Sequence, residues 1–337
     1  MANLSTNYMG IELKNPVIVG ANNLVTNIDN LKRMEDAGAA AIVYKSLFEE
    51  QIQLENLQMF EDMQEYSGRH AEGASLFPDI EHAGPEEHLM NLAKAKKALS
   101  IPLFASLNAV NFESWVEYAK KIEQTGVDGL EINFYSVPTD VEIMGKAIIN
   151  EKLDIFEAVR NAVTIPLAVK LSPYYTNPLY VIKEIDKRGA NGFVLFNKLF
   201  QPEIDIDNEE MRFPYNLSSH DDSRLPLRFA GLLHGQINAG ICSSRGIFTG
   251  EDVISMILAG ANCVQVVSTL YKNGIEQIGS ILTDMERWME GKKYKTLADF
   301  RGKMSRENIN DHFAYRRAQY VDILLKSDEI FKKFPTV

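Results

Sequence analysis

Along the chain, short apolar runs alternate with longer stretches whose apolar residues recur every three or four positions. One local pattern occurs four times: the end of an amphipathic segment, a glycine, a short apolar run and a closing polar residue. The copies are 37–45, 125–133, 188–197 and 259–268. The glycine suits a helix that ends in the left-handed conformation, and the apolar run suits a strand buried on both faces. A second pattern alternates with the first. Residues 101–107 and 165–171 each open with Ile-Pro, and 15–20 is a looser copy; proline is tolerated at a strand's first residue. With 237–243 added, strands are predicted to begin near 16, 40, 102, 129, 166, 192, 237 and 263. Helices are predicted between them, among others over 86–99, 112–124, 141–162, 178–187, 226–234 and 250–258.

Eight strands joined by helix-length crossovers predict an α/β fold, a closed (β/α)8 TIM barrel. The alternative is an open doubly wound sheet, which predicts a Gly-x-Gly-x-x-Gly turn after the first strand. That turn is missing. Residues 46–84 and 198–225 are too long for ordinary connections, and both leave the C-terminal ends of strands, the face that carries barrel active sites. The barrel is expected over 1–303. A C-terminal helical extension over 304–337, bearing Phe313, Tyr320, Ile323 and Leu324, is expected to pack on the barrel or on a partner subunit.

A net charge of −11 over 337 residues argues against nucleic acid or an anionic membrane surface as partner. The six histidines include no HExxH or close pair, so no metal site is expected. Cys242 and Cys263 lie in apolar runs and read as small buried hydrophobes. The first residues lack a signal-peptide pattern, and no apolar run approaches the roughly 18 residues of a membrane span. A cytoplasmic protein, without membrane attachment, is the expectation.

Polar residues that close buried strands face the barrel mouth. Here they are Lys45, Ser106 with Asn108, Asn133, Lys170, Asn197, Ser243 with Ser244, and Ser268. Any one of them alone could be solvated or cap a helix; two lysines and two asparagines on one rim point to a binding site. The last two strand ends, Ser243-Ser244-Arg245-Gly246 and Val267-Ser268-Thr269, supply backbone N–H groups, hydroxyls and a guanidinium. Barrels commonly bind phosphate at this place.

Several motifs are specific: Asn15-Pro16-Val17-Ile18, Tyr44-Lys45-Ser46, Glu131-Ile132-Asn133, Pro166 to Tyr174, and Leu297 to Lys303. In order along residues 8–303, they resemble the soluble, class 1 dihydroorotate dehydrogenases. The resemblance implies an FMN-binding barrel acting on a CH–CH bond of a small, anionic substrate, nominally dihydroorotate. Lys170 would lie against the pyrimidine edge of the flavin, with Gly20, Ala21, Ser46, Asn133 and Asn197 around the cofactor. Ser243, Ser244, Arg245, Gly246, Ser268 and Thr269 would hold its phosphate. Lys45 would line the flavin–substrate interface and Ser136 would occupy the catalytic base position. Asn133 and Asn197 would hold substrate, with Arg69 and His70 as further candidates. A soluble electron acceptor and a homodimer complete the expectation.

The chain also departs from the family. The motif Asn-Leu-Ser-Cys-Pro-Asn of soluble members reads Asn133-Phe134-Tyr135-Ser136-Val137-Pro138 here. No asparagine lies between Asn56 and Asn91, where the family has Asn-Ser-Met-Gly-Leu-Pro-Asn. Arg245 replaces a glycine of the phosphate turn, and a Gly-Gly pair before Pro226 is absent. Two other readings of the rim are a Schiff-base aldolase using Lys45 or Lys170, and a flavin-binding barrel without catalysis.

Overall fold

The computed structural model describes residues 2–52, 85–212, 217–310, 314–315 and 318–326. Eight parallel strands form its centre: β1 (Val17–Val19), β2 (Ala41–Val43), β3 (Leu103–Asn108), β4 (Gly129–Asn133), β5 (Leu167–Leu171), β6 (Gly192–Leu195), β7 (Gly240–Ser244) and β8 (Cys263–Val266). Each pairs with its neighbours in sequence, and β8 pairs back onto β1 through Val264–Val17 and Val266–Val19. The ring is therefore closed, and the open-sheet alternative is excluded. Helices α1 (Ile28–Asp36), α2 (Glu86–Ala98), α3 (Phe112–Glu123), α4 (Gly145–Ala162), α5 (Pro178–Lys187), α6 (Arg224–Leu233), α7 (Gly250–Ala259) and α8 (Gln277–Lys292) follow their strands in turn.

The parallel strands are apolar on both faces because each face meets a different core. Val17, Val19, Ile42, Leu103, Leu130 and their counterparts pack against the helices. Ile18, Ala41, Val43, Phe104, Ala168, Val194, Cys242 and Cys263 fill the barrel itself. Both cysteines are free and buried, as their apolar surroundings predict.

The bottom of the barrel is closed by a hairpin the sequence patterns did not reveal. Thr6–Tyr8 pairs antiparallel with Ile11–Leu13 across the two-residue turn Met9-Gly10, both with positive φ (57° and 78°), as such tight hairpins require. Tyr8 enters the barrel where β6 and β7 begin. A Cβ on Gly192 would stand 2.7 Å from the Tyr8 ring, and one on Gly240 would stand 2.8 Å from it. Glycine at both strand starts makes room for the ring. Burial, then Cys242, Cys263 and Glu131 in that order, pushes the Tyr8 phenol well above its ordinary pKa. Its hydroxyl has no hydrogen-bond partner among the described residues.

Two boundaries lie well away from expectation. Strand β7 begins at Gly240 and not 237, because the Asp186 carboxylate accepts the N–H groups of Asn238 and Ala239 (3.0 and 2.9 Å) and holds them in a turn. Helix α4 begins at Gly145 and not 141. Residues 141–144 are exposed, and the Asp140 carboxylate accepts the Glu142 N–H, an arrangement that favours a turn over a helix start. In the long segment after β6, a hairpin pairs Glu203–Asp205 with Glu210–Arg212, and a 3-10 turn, His220–Ser223, leads directly into α6.

Beyond the eighth unit, a short helix spans Ala318–Leu325, with Tyr320, Ile323 and Leu324 exposed in the single chain. Phe313 lies outside the described residues. Tyr315 ties this region to the barrel: its hydroxyl donates to the Met304 carbonyl (2.6 Å) and its ring lies over Gly231. Among the described residues, no helix is long and apolar enough to cross a membrane.

The hairpin plug gives a test of the barrel interior. Gly192→Ala should destabilise by about 1–3 kcal/mol through overpacking against Tyr8. Tyr8→Phe should be neutral or stabilising, since it removes a buried hydroxyl without a partner. In denaturant melts, a Tyr8→Leu background should recover part of the Gly192→Ala loss; full additivity of the two would mean that the ring does not fill this space.

Candidate functional site

The C-terminal ends of the strands open into a cavity of about 340 Å³, within the range of small-ligand sites. Strand alternation decides what reaches it. On β5, Ala168 and Lys170 point into the barrel; on β4 Glu131 does, and on β8 Cys263 and Gln265 do. Lys170 Nζ lies 3.4 Å from Glu131 Oε1 and donates to Gln265 Oε1 at 3.3 Å. The Gln265 amide in turn donates to Glu131 Oε2 at 2.6 Å. These groups are nearly buried, so the lysine is held in one place at the cavity floor by partners from two other strands. Glycine is required beside them: a Cβ on Gly20 would press on Val267 at 2.8 Å and on Gln265 at 3.0 Å.

A second group crosses the mouth. Asn197 Nδ2 donates to Asn133 Oδ1 at 2.8 Å, and Asn108 Nδ2 donates to the Asn133 carbonyl at 2.6 Å. Ser46 and Ser106 share a hydrogen bond of 2.7 Å. Lys45 lines the cavity and makes no ion pair or hydrogen bond among the described residues, which leaves its charge for a ligand.

The third group is the turn after β7. Arg245 has φ 83° and Gly246 φ 67°. For an arginine that left-handed conformation costs roughly 1–2 kcal/mol. A Cβ on Gly246 would strike the Ser223 amide, so no other residue fits there. The Arg245 guanidinium is compensated by Asp222, 2.7 Å away, and by the Asn197 carbonyl at 3.4 Å, while its Nε is buried without a partner among the described residues. Lys198 Nζ donates to the same Asp222 carboxylate and to the Leu217 carbonyl, each at 2.9 Å. Burial alone would raise the Asp222 carboxyl; the bonds from Lys198, the Ser219 N–H and Arg245 outweigh it and bring it to about 2. Ser268, at the start of the helix Ser268–Asn273, accepts the Ser218 N–H at 2.8 Å and fastens the long segment over the cradle.

The fold thus brings Ala21, Lys45, Ser46, Asn133, Lys170, Asn197, Ser244, Arg245, Gly246 and Ser268 around one cavity. Gly20 shapes its floor from behind. Ser243 is buried on the opposite face of β7 from Ser244, and Thr269 is buried beside Asn273 and Phe248, so neither lines the cavity. Ser136 opens onto a neighbouring pocket of about 450 Å³ with Asn108, Phe134 and Lys152, and its hydroxyl accepts a hydrogen bond from Lys152. Arg69 and His70 lie outside the described residues.

The sequence model of the family described as dihydroorotate dehydrogenase matches residues 3–289. The chain belongs to the dihydroorotate dehydrogenase family. Among curated relatives is the dihydroorotate dehydrogenase B (NAD(+)) catalytic subunit of Thermoplasma acidophilum, 27% identical over 90% of this chain and 99% of that protein. The corresponding subunit of Methanocaldococcus jannaschii is 28% identical over 81% of this chain and 89% of its own length. The chloroplastic dihydropyrimidine dehydrogenase (NADP(+)) of Arabidopsis thaliana is 23% identical over 89% of this chain and 76% of its own. Membership makes the protein an oxidoreductase acting on CH–CH groups, the class of its named relatives, and not an aldolase.

Sequence reasoning missed Glu131, Gln265, Lys198 and Asp222. The first two carried a signal, since each is a polar residue inside an otherwise apolar parallel strand, and buried polar residues are the informative ones. Lys198 and Asp222 carried none, because they sit in a polar segment among many like residues.

The acidic hub should govern the cradle. A depressed carboxyl stabilises the fold above its unfolded pKa of about 3.9, and that stability is lost as pH falls through about 2. Asp222→Asn should therefore lower the melting temperature by a few degrees at pH 7, with the difference narrowing below pH ~4. An equal loss at pH 7 and pH 3 would contradict the charge network.

Proposed function

We propose that the cavity holds FMN and that the protein transfers hydride between the flavin and adjacent carbons of a small anionic substrate. One observation carries this reading: a single cavity joins a fixed lysine at its floor to a turn of N–H groups, hydroxyls and cations at its rim. That donor set suits a flat ring with an electron-rich edge at one end and a phosphate at the other. Gly246, whose missing side chain lets the turn pack against Ser219 and Ser223, and the unpartnered Arg245 Nε fit a phosphate-binding turn there. FMN, when bound, supplies the two-electron acceptor.

The residues divide the work. Lys170 places a cation where the reduced ring gathers negative charge. Ser244, Arg245, Gly246 and Ser268 hold the phosphate, with Ser243 and Thr269 shaping those strand ends from behind. Ala21 and Ser46 would border the ring, with Gly20 shaping the floor behind them. Asn133 and Asn197, already bonded to one another, present their remaining amide groups to substrate, and Lys45 supplies the positive charge that selects an anion. Ser136, on the loop after β4, is the proposed proton acceptor. The relatives named above point to dihydroorotate and to dihydropyrimidines as the substrates to test first, and to a soluble acceptor or a companion subunit for reoxidation. A homodimer is proposed as the assembly; Ile204, Ile206 and Met211 on the hairpin after β6 leave apolar surface for it.

The purified protein should carry FMN. Lys170→Ala should lower the potential of the bound flavin by roughly 30 mV or more, the equivalent of ~1.4 kcal/mol for a two-electron couple. A redox titration with unchanged potential and unchanged FMN content would remove Lys170 from the ring edge.

Substrate contacts are the point of divergence. Pro138 stands where the resemblance leads one to expect a second asparagine, and residues 57–90 contain none. Two lost ring contacts, at about 1–3 kcal/mol each, correspond to one to four decades of rate or affinity. Anaerobic mixing with dihydroorotate should bleach the flavin slowly or not at all, and faster bleaching by 5,6-dihydrouracil would place the substrate among neutral dihydropyrimidines. Complete bleaching by dihydroorotate within milliseconds would show that other residues replace the missing asparagines.

A further inference from the structure

Lys152 stands on α4, the helix that follows the Ser136 loop, and only 8% of it is exposed. A lysine so buried is ordinarily paired with a carboxylate. Here its partner is a hydroxyl. Nζ donates to Ser136 Oγ at 3.0 Å and lies 5.3 Å above the Phe134 ring, and among the described residues no carboxylate pairs with it. Both residues face the pocket of about 450 Å³, whose wall includes Asn108; the Asn108 side chain bonds the carbonyl of Asn133, a residue that lines the main cavity. The other ionisable groups around this pocket are Glu50 from the segment after β2, Glu151 beside Lys152 on α4, and Tyr135 on the loop. Glu49, behind the wall, is turned to Asn111, Ser114 and the Val110 N–H, and the Tyr135 hydroxyl accepts the Phe200 N–H. Burial draws the Lys152 amine below the ordinary lysine range, with Glu151 opposing.

We infer that Lys152 and Ser136 form a proton-accepting pair, in which the amine takes the serine hydroxyl proton as that oxygen takes the proton leaving the substrate carbon. The inference rests on the role of Ser136 proposed above. A serine hydroxyl is a poor base on its own and needs a neighbouring group to accept its proton; a buried amine at hydrogen-bond distance, once deprotonated, is such a group. In the step, the substrate C–H bond breaks and an O–H bond forms, while the Ser136 O–H bond breaks and an N–H bond forms on Lys152. FMN, when bound, would supply the two-electron acceptor for the hydride of the adjacent carbon, and the resulting ammonium returns its proton to solvent. Lys152 acts through Ser136 and is a positioning residue in this sense. A protonated amine cannot accept, so the rate rises with pH through the Lys152 pKa.

The test uses the full chain with bound FMN, a panel of dihydroorotate and 5,6-dihydrouracil, and the variants Lys152→Met, Lys152→Arg and Ser136→Ala. Anaerobic flavin bleaching should slow by ~100-fold in each variant, with FMN content and circular dichroism retained, and the Ser136→Ala/Lys152→Met double variant should be no slower than either alone, as expected of residues acting as a unit. The acid limb of the wild-type pH profile should vanish in Lys152→Met. Competitive labelling of the wild-type amines with acetic anhydride, read by mass spectrometry, should show Lys152 titrating below the usual value of about 10.4 and moving in Ser136→Ala. Wild-type rate and pH profile in either Lys152 variant, or an ordinary titration of Lys152, would overturn the pair. Should the purified protein bind no FMN, the proposed function falls instead; should it bind FMN that no member of the panel bleaches, the rates give way to the labelling. The labelling then decides the pair alone, a displaced pKa that responds to Ser136→Ala supporting it and an ordinary one overturning it. Variants that fail to retain FMN leave the decision to the same wild-type labelling.

Discussion

A lysine placed inside a closed barrel must be satisfied there, and much of the upper half of this molecule follows from how Lys170 is satisfied. Its neighbours are Glu131 from β4 and Gln265 from β8, and the amide of Gln265 closes the triangle by donating back to the carboxylate. Removing any one partner would leave a buried charge or a buried amide without its bond, which costs more than the bond itself contributes. The triangle also fixes geometry. Its three members come from strands that are not all adjacent, so the strands must keep their registers for the triangle to form, and the cation is held still at the floor of the cavity. Gly20 belongs to the same constraint, because a side chain there would push against Gln265 and Val267.

The two ends of the barrel solve opposite problems. At the bottom, Tyr8 fills space that Gly192 and Gly240 leave open between the strand starts, and its hydroxyl is buried without a partner among the described residues. At the top, space is kept open and the walls are polar. Arg245 in a left-handed conformation is tolerated there because Asp222 takes its guanidinium and Lys198 together, and the carboxylate stays ionised far into acid. The segment after β6 is thereby tied to the turn after β7 and, through Ser218 and Ser268, to the end of β8. A segment too long for a connection acts as a wall of the site.

The loop after β4 faces two ways. Asn133 at its root belongs to the main cavity, whereas Ser136 three residues on belongs to the pocket beside it, in contact with Lys152 on the next helix. One of the chain's departures from the family pattern, Pro138, lies on this loop; others lie in residues 57–90 and at Arg245 in the turn after β7.

The eight strands and their order followed from the sequence, because a parallel barrel writes the same apolar run, glycine and polar closure over and over. Strand ends carried the site for the same reason: Lys45, Asn133, Lys170, Asn197 and Ser244 are polar residues closing apolar runs, and each lines the cavity. The hairpin around Met9-Gly10 was not legible, since its strands are short and its partner surface is assembled from Gly192 and Gly240, far away in the chain. The same holds for the contacts of Lys170 with Glu131 and Gln265, of Asp222 with Lys198 and Arg245, and of Ser136 with Lys152. Sequence by itself determined which residue types stand at which strand ends. Only the tertiary structure decided which of them meet, because contacts between separate strands and helices depend on barrel closure, strand register and side-chain direction, and none of these is a local property of the chain.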